Sequence, residues 1–305
     1  MGFLDILSQM MVLFAIVVIG FIGCKLKLLD ADFNRKLSSL VVNITAPCLI
    51  LSSVMSGDRL PERELLLPLV VIAFATYAFL IMAGWFVSRL FRLPVQERGI
   101  FHFMLSFGNV GFIGFPVVAA IFGHEAIFYA SVLIIPSNLL IFVLGTKMVT
   151  GGRDASRWNW RMFFSPFMVA TYISMLIVIL EIDVSPKFGN IFVLTGGMTV
   201  PSALLIIGSS LAMMPVRNML GTFKLYLMCL FRLLIMPVVV LTVCRLAGVD
   251  DYIAGINAVL AGMPVASFGT MFCLKYGVDE RRMTQGTFLS TFLSMFSIPL
   301  LSMWL

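Results

Sequence analysis

Apolar residues along the chain gather into ten long runs, at about 4–23, 37–56, 65–88, 99–122, 126–148, 162–180, 188–213, 219–244, 252–274 and 284–304. A helix of ~20 apolar residues spans the ~30 Å hydrocarbon core of a bilayer. The pattern therefore predicts an all-α polytopic membrane protein of ten transmembrane helices. The longest polar connector is GGRDASRWNW, from Gly151 to Trp160, and it separates five runs from five. The expected organisation is a first five-helix repeat at 1–150, a cytoplasmic linker at 151–160 and a second five-helix repeat at 161–305.

Composition agrees with this reading. Of 305 residues, 60% are hydrophobic and 12% are charged, against roughly 25% charged in soluble domains. Ten spans and short loops use almost the whole chain, which leaves no room for a soluble catalytic domain. The net charge of +6 comes from Lys and Arg scattered through short loops, not gathered on one basic face, so no nucleic-acid partner is expected. Loops on one side of the ten spans hold sixteen Lys and Arg, among them Lys25, Arg35, Arg92, Arg153, Arg217 and Arg281. The other side holds four: Arg59, Arg63, Lys187 and Arg245. The positive-inside rule assigns the first set to the cytoplasm and leaves both termini extracytoplasmic, in a multi-pass protein of the cell (inner or plasma) membrane. Residues 6–23 are read as a retained first span, because no Lys or Arg precedes them and no small-residue cleavage site follows. The five cysteines fit no metal or disulfide spacing and are read as packing residues.

Five spans in each half mean that two related halves would be inverted relative to each other. Two motif pairs suggest that they are related. Asn109-Val-Gly-Phe-Ile-Gly114-Phe-Pro116 in the fourth run and Asn257-Ala-Val-Leu-Ala-Gly262-Met-Pro264 in the ninth both read N-x4-G-x-P. Thr45-Ala-Pro47 in the second run matches Thr199-Val-Pro201 in the seventh.

The spans lack the groups that catalysis needs. All fifteen Asp and Glu lie in loops or within about a turn of a span end, so no buried carboxylate pair could relay protons. No His/Cys/Asp cluster has metal spacing, and no nucleophile–base set is present. His102 reads as a satisfied polar residue near a helix start, and His124 as a solvated residue in a short external turn. The protein is not expected to be an enzyme.

Interrupted helices carry the candidate chemistry. Proline removes a backbone donor and clashes with the preceding turn, and broken helix in a bilayer is tolerated only where protein or a water-filled cavity satisfies the exposed groups. Matching breaks in two halves point to a transport site. Pro116 and Pro264, with Gly114 and Gly262 beside them, are the expected breaks; Pro136, Pro166 and Pro237 read as simple kinks. Asn109 and Asn257, two turns before the prolines, either bind substrate or cap exposed backbone, and Asn43, one turn before Pro47, joins them. Arg232 lies ~12 Å inside the eighth span. It either snorkels to the cytoplasmic surface or attracts an anion. Half-helix N-termini carry roughly half a positive charge each and would favour a carboxylate even without it.

The segments NITAPCLI at 43–50, GNVGFIGFP at 108–116 and PSALLIIG at 201–208 resemble the auxin efflux carrier family, especially its bacterial members, and the resemblance runs over essentially the whole chain. It implies ten helices in two inverted five-helix repeats, similar to the bile acid:sodium symporter fold, with the fourth and ninth helices broken and crossing at the midplane. A transport domain moving against a scaffold would give elevator-like alternating access. The crossover prolines would be Pro116 and Pro264; Pro47 and Asn43 match the second-helix motif. The implied substrates are small organic anions, namely malonate or malate in bacterial members and indole-3-acetate in plants. A homodimer through the scaffold is implied as well. No cofactor is expected. The coupling ion is open between proton and sodium, with uniport a third route. A sodium-coupled symporter of the bile-acid type and a non-transporting membrane sensor are the other readings.

Overall fold

The computed structural model describes residues 3–55, 61–152, 164–182, 184–213 and 221–304. Most of the linker expected at 151–160, together with Arg59, Arg153 and Arg217 of the charge count, lies outside these residues.

The described chain is helical. In order it forms α1 (Phe3–Lys25), α2 (Ala31–Leu40), α3 (Ala46–Met55), α4 (Leu66–Leu90), α5 (Val95–Ser106), α6 (Phe115–Phe122), α7 (Ala126–Leu133), α8 (Ile135–Leu140), α9 (Thr146–Thr150), α10 (Pro166–Ile179), α11 (Pro186–Gly197), α12 (Thr199–Met213), α13 (Phe223–Leu230), α14 (Met236–Leu246), α15 (Asp251–Ala261), α16 (Phe268–Lys275) and α17 (Arg281–Ser302). Helix occupies most of the described part of each apolar run of the sequence. Continuous helical stretches at Ala31–Met55, Arg63–Leu90, Ala126–Thr150, Lys187–Met213 and Phe223–Leu246 are individually long and apolar enough to cross a bilayer. The fourth and ninth runs are each divided by extended chain.

Among the described residues four π-helical turns adjoin the α-helices, at Val41–Thr45, Val110–Gly114, Ile141–Gly145 and Phe231–Ile235. Three of them end two residues before a proline: Pro47, Pro116 and Pro237. A proline ring clashes with the carbonyl four residues back and offers that carbonyl no donor. A wider turn turns the carbonyl aside, so the helix passes the proline without stopping. Pro116 therefore sits inside a continuous helical stretch, Val110–Phe122, and the break expected at it lies earlier, at Phe107–Asn109.

The chain divides into two units, each drawing on both halves of the sequence. Unit 1 comprises Met1–Val71, Phe115–Leu133 and Trp160–Met214. In it α1 lies along α12 with backbones nearly touching: a Cβ on Gly20 would overlap the Leu205 carbonyl oxygen, and one on Gly208 would overlap that of Val17. Lys25 Nζ donates to the Ala212 carbonyl at 3.0 Å, closing one end of the pair. In α3, Ser52 and Ser53 turn back to carbonyls of their own helix, and Ser174 of α10 donates to the Ile50 carbonyl. Apolar side chains such as Ile19, Leu67, Leu176 and Leu194 remain exposed, as expected of faces solvated by lipid.

Unit 2 comprises Ile72–Gly114, Ile134–Asn159 and Pro215–Leu305. Its core packs Phe101, Phe103, Met104 and Phe107 of the fourth run against Met228, Leu233, Val240 and Leu289. On α17, the buried Thr287, Ser290, Thr291, Ser294 and Ser297 form a hydroxyl-bearing face. Apart from Thr287 and Ser297, these return their protons to carbonyls one turn back, the low-cost way to hold a hydroxyl in an apolar helix.

Candidate functional site: two interrupted helices in unit 2

Helix α5 ends at Ser106, and Phe107 is extended, with φ −114° and ψ 123°. The chain resumes as helix at Val110. Helix α15 ends at Ala261, and helix resumes at Phe268. The two extended pieces pair with each other. Gly108 and Val265 form an antiparallel bridge. Asn109 N–H donates to the Pro264 carbonyl at 2.7 Å, and Ala266 N–H to the Phe107 carbonyl at 3.1 Å. The Val265 N–H is taken by Ser290 Oγ of α17 at 3.0 Å. Three N–H groups at the breaks are thus satisfied by the facing backbone or by a hydroxyl, as an apolar surround requires.

The bridge leaves two chemically different sides. On one side are the starts of the resumed helices. Asn109 precedes Val110, and its Oδ1 accepts from Phe112 N–H at 3.3 Å, an N-cap. Its Nδ2 donates to Ser267 Oγ at 3.3 Å; Ser267 holds the corresponding place before α16. Asn109 is partly exposed and Ser267 is exposed. The first N–H groups of a helix have no intrahelical acceptor and carry roughly half a positive charge. This side therefore offers an amide, a hydroxyl and two positive helix ends.

On the other side are the C-terminal ends of α5 and α15. Arg232, in the π-turn between α13 and α14, is 0% exposed. Its Nη1 donates to the Leu105 carbonyl at 2.8 Å and its Nε to the Met263 carbonyl at 3.0 Å. One guanidinium thus caps both interrupted helices. Of the two alternatives for Arg232, snorkelling is excluded by this burial. Its remaining Nη2 has no hydrogen-bond partner and lies against Gly108, where an added Cβ would overlap it.

The other candidates lie elsewhere. Asn257 is 3% exposed and sits within α15, one and a half turns ahead of the break. It donates to Thr76 Oγ1 of α4 at 2.8 Å and to Cys244 Sγ of α14 at 3.5 Å, tying three helices together. The N-x4-G-x-P pair therefore does not mark equivalent places: Asn109 lies in a break and Pro116 in helix, whereas Asn257 lies in helix and Pro264 in a break. Gly262 caps α15 against Pro237 and Leu301, and Gly114 packs on Leu260. Asn43 and Pro47 belong to unit 1; Asn43 is exposed and donates to the Ser39 carbonyl and hydroxyl one turn back. His102 is satisfied by the Ile81 carbonyl at 2.9 Å. His124 is not simply solvated, since its Nε2 lies 3.0 Å from Ser52 Oγ. Burial pushes its imidazole below the usual histidine range, against the opposing effects of Ser52 and Glu125.

Ser267 and Ser290 stand at the breaks outside every quoted motif, and Gly108 opens the GNVGFIGFP segment without a role being read from it. A serine directly ahead of the apolar FGTMF segment is an N-cap signal that would have located the restart of α16.

Among the described residues no group of three or more His, Cys, Asp or Glu could hold a metal ion. Over 306 residues the chain is 22% identical to an uncharacterized transporter of Methanocaldococcus jannaschii, covering 98% of this chain and 97% of the relative. It is 25% identical over 292 residues to an uncharacterized transporter of Methanothermobacter thermautotrophicus, covering 94% of each. Residues 5–302 match the membrane transport protein family. This polytopic helical chain therefore belongs to that family of membrane transporters, the auxin efflux carrier-like family that its motifs resemble.

Proposed function

We propose that the protein is a secondary transporter of small organic anions, mono- or dicarboxylates such as malonate or malate or an indole-acetate-like acid. In this reading ten spans form two inverted five-helix repeats, and the interrupted fourth and ninth helices cross at the midplane. Substrate binds at the paired breaks, and elevator-like movement alternates its access. The observation that carries the reading is the pairing of Asn109 and Ser267 at two helix starts with the ends of α5 and α15 capped by Arg232. Two C-terminal ends of roughly half a negative charge each are offset by one guanidinium, so the two N-terminal ends leave a surplus of about one positive charge. A single carboxylate balances that surplus. Of the residues named from sequence, Asn109 is the one we assign to its binding, because its amide is partly exposed beside Ser267. Gly262, Pro264 and Arg232 shape the break, and Gly114 and Pro116 shape the helix that leaves it. Asn257 serves helix packing. Asn43 and Pro47 shape the second helix of unit 1. The bilayer and the substrate are the partners this function requires, and a homodimer through the scaffold accompanies it.

The test is electrogenic flux in proteoliposomes with malonate, malate, succinate, lactate and indole-3-acetate offered in turn. A carboxylate-evoked current that falls by about tenfold or more in Asn109→Ala is expected, the size of a lost charge-assisted hydrogen bond. Binding of these anions with neither current nor labelled counterflow would transfer the protein to the sensor reading.

A further inference from the structure

Half-helix C-termini and unwound carbonyls are where membrane carriers commonly hold a coupling cation. In unit 2 one such carbonyl from each interrupted helix is already engaged. The Leu105 carbonyl from α5 and the Met263 carbonyl from the α15 break both accept from Arg232, at 2.8 and 3.0 Å. No carboxylate pairs with this guanidinium among the described residues. Its titratable neighbour is Tyr77, whose hydroxyl bonds to Ser137. The charge is therefore neither neutralised by an acid nor exposed to water. Among the described residues its hydrogen-bond acceptors are the Leu105 and Met263 carbonyls, at the ends of the two interrupted helices.

The backbone is shaped around this charge. Position 108, inside the bridge, is glycine, and any Cβ there would overlap Nη2. The π-turn at Phe231–Ile235 carries Arg232 at its second position and ends two residues before Pro237. The wide turn and the missing side chain at 108 both leave room for a guanidinium beside the paired extended segments.

We propose that Arg232 is a resident cation that occupies, on both interrupted helices, the carbonyl ends a coupling sodium ion would need, so that this protein moves its anion without sodium. The inference deepens the transport reading and rests on it for the word "moves"; the occupancy of the carbonyls does not. A second cation within ~4 Å of the guanidinium would bind roughly a thousandfold more weakly than at a neutral site. Replacing Arg by Lys keeps the charge but reduces a planar fork that reaches two carbonyls to a point donor. Replacing it by Gln keeps a donor and removes the charge.

Two measurements test this on the purified full chain. The first is thermal stability in sodium chloride against choline chloride at equal ionic strength, with no substrate present. Wild type is expected to show no sodium-specific rise in Tm, and a clear rise would overturn the proposal. The second is malonate flux in proteoliposomes. Wild-type flux is expected to be equal in sodium and choline, with Arg232→Gln about tenfold or more below it and Arg232→Lys between the two and still indifferent to sodium. Flux that needs sodium in wild type, or Arg232→Gln transporting as wild type does in choline, would overturn the proposal. If wild type moves none of the tested anions, the transport reading falls, while the stability comparison still decides whether sodium has a place at the carbonyls. Because that comparison and the wild-type fluxes involve no substitution, a variant that failed to fold would not blunt them.

Discussion

At the scale of single residues, hydrogen-bond partners separate the two motif asparagines. Asn257 donates to Thr76 Oγ1 in a buried setting, so Asn257→Ala removes an interhelical bond and leaves a hydroxyl without its donor. The expected cost is about 1–2 kcal/mol of stability, read as a lower Tm in detergent. The KM of the protein that remains folded should stay at the wild-type value. Asn109→Ala should lose flux well beyond what its lost N-cap, about 0.5–2 kcal/mol of stability, accounts for, because its amide stands partly exposed at the break. A large KM change in Asn257→Ala with Tm intact would reassign that residue to the substrate. Local sequence could not tell these asparagines apart. Each is followed by the same Gly and Pro spacing, and what distinguishes them is Thr76 in one case and Ser267 in the other, both remote in the chain.

At the scale of elements, prolines mark bends less than they mark changes of turn. Pro47, Pro116 and Pro237 each follow a π-turn and sit inside helix, whereas Pro264 stands in extended chain with its carbonyl accepting from Asn109. Proline alone does not choose between these outcomes. A partner strand, present for Pro264 and absent for the others, decides. Helix contacts in unit 1 depend on a different feature, the missing side chains of Gly20 and Gly208. Gly208→Val would drive two branched methyls into the Val17 carbonyl and should part α1 from α12, costing about 1–3 kcal/mol. Gly197→Ala is the matched control. Nothing lies within 4 Å of its added Cβ, and it should gain about 0.5–1 kcal/mol from helix propensity. Equal Tm values for the two variants would mean that the α1–α12 contact contributes little.

For the molecule as a whole, the charge bias of the loops predicts how it sits in the membrane. A reporter that is active only outside the cytoplasm, fused after Trp304, is expected to be active, and one that fluoresces only in the cytoplasm is expected to be dark there. Fused in the connector at 276–280, between α16 and α17, the two should exchange behaviour. The same side lit at both places would break the ten-span count. The run lengths, the shortage of charge and the three quoted motifs were enough to determine a polytopic helical protein and its transporter family, because each is a property of contiguous sequence. Where the fourth helix breaks, which asparagine stands at the break, and that Arg232 is a buried cap and not a snorkelling side chain were decided only by tertiary structure. Those facts depend on Leu105, Arg232 and Met263, and on Asn109, Pro264 and Ser267, residues that meet only when distant helices pack. A backbone group in an apolar surround is settled by whichever partner the fold delivers, and spacing along the chain does not record which partner that is.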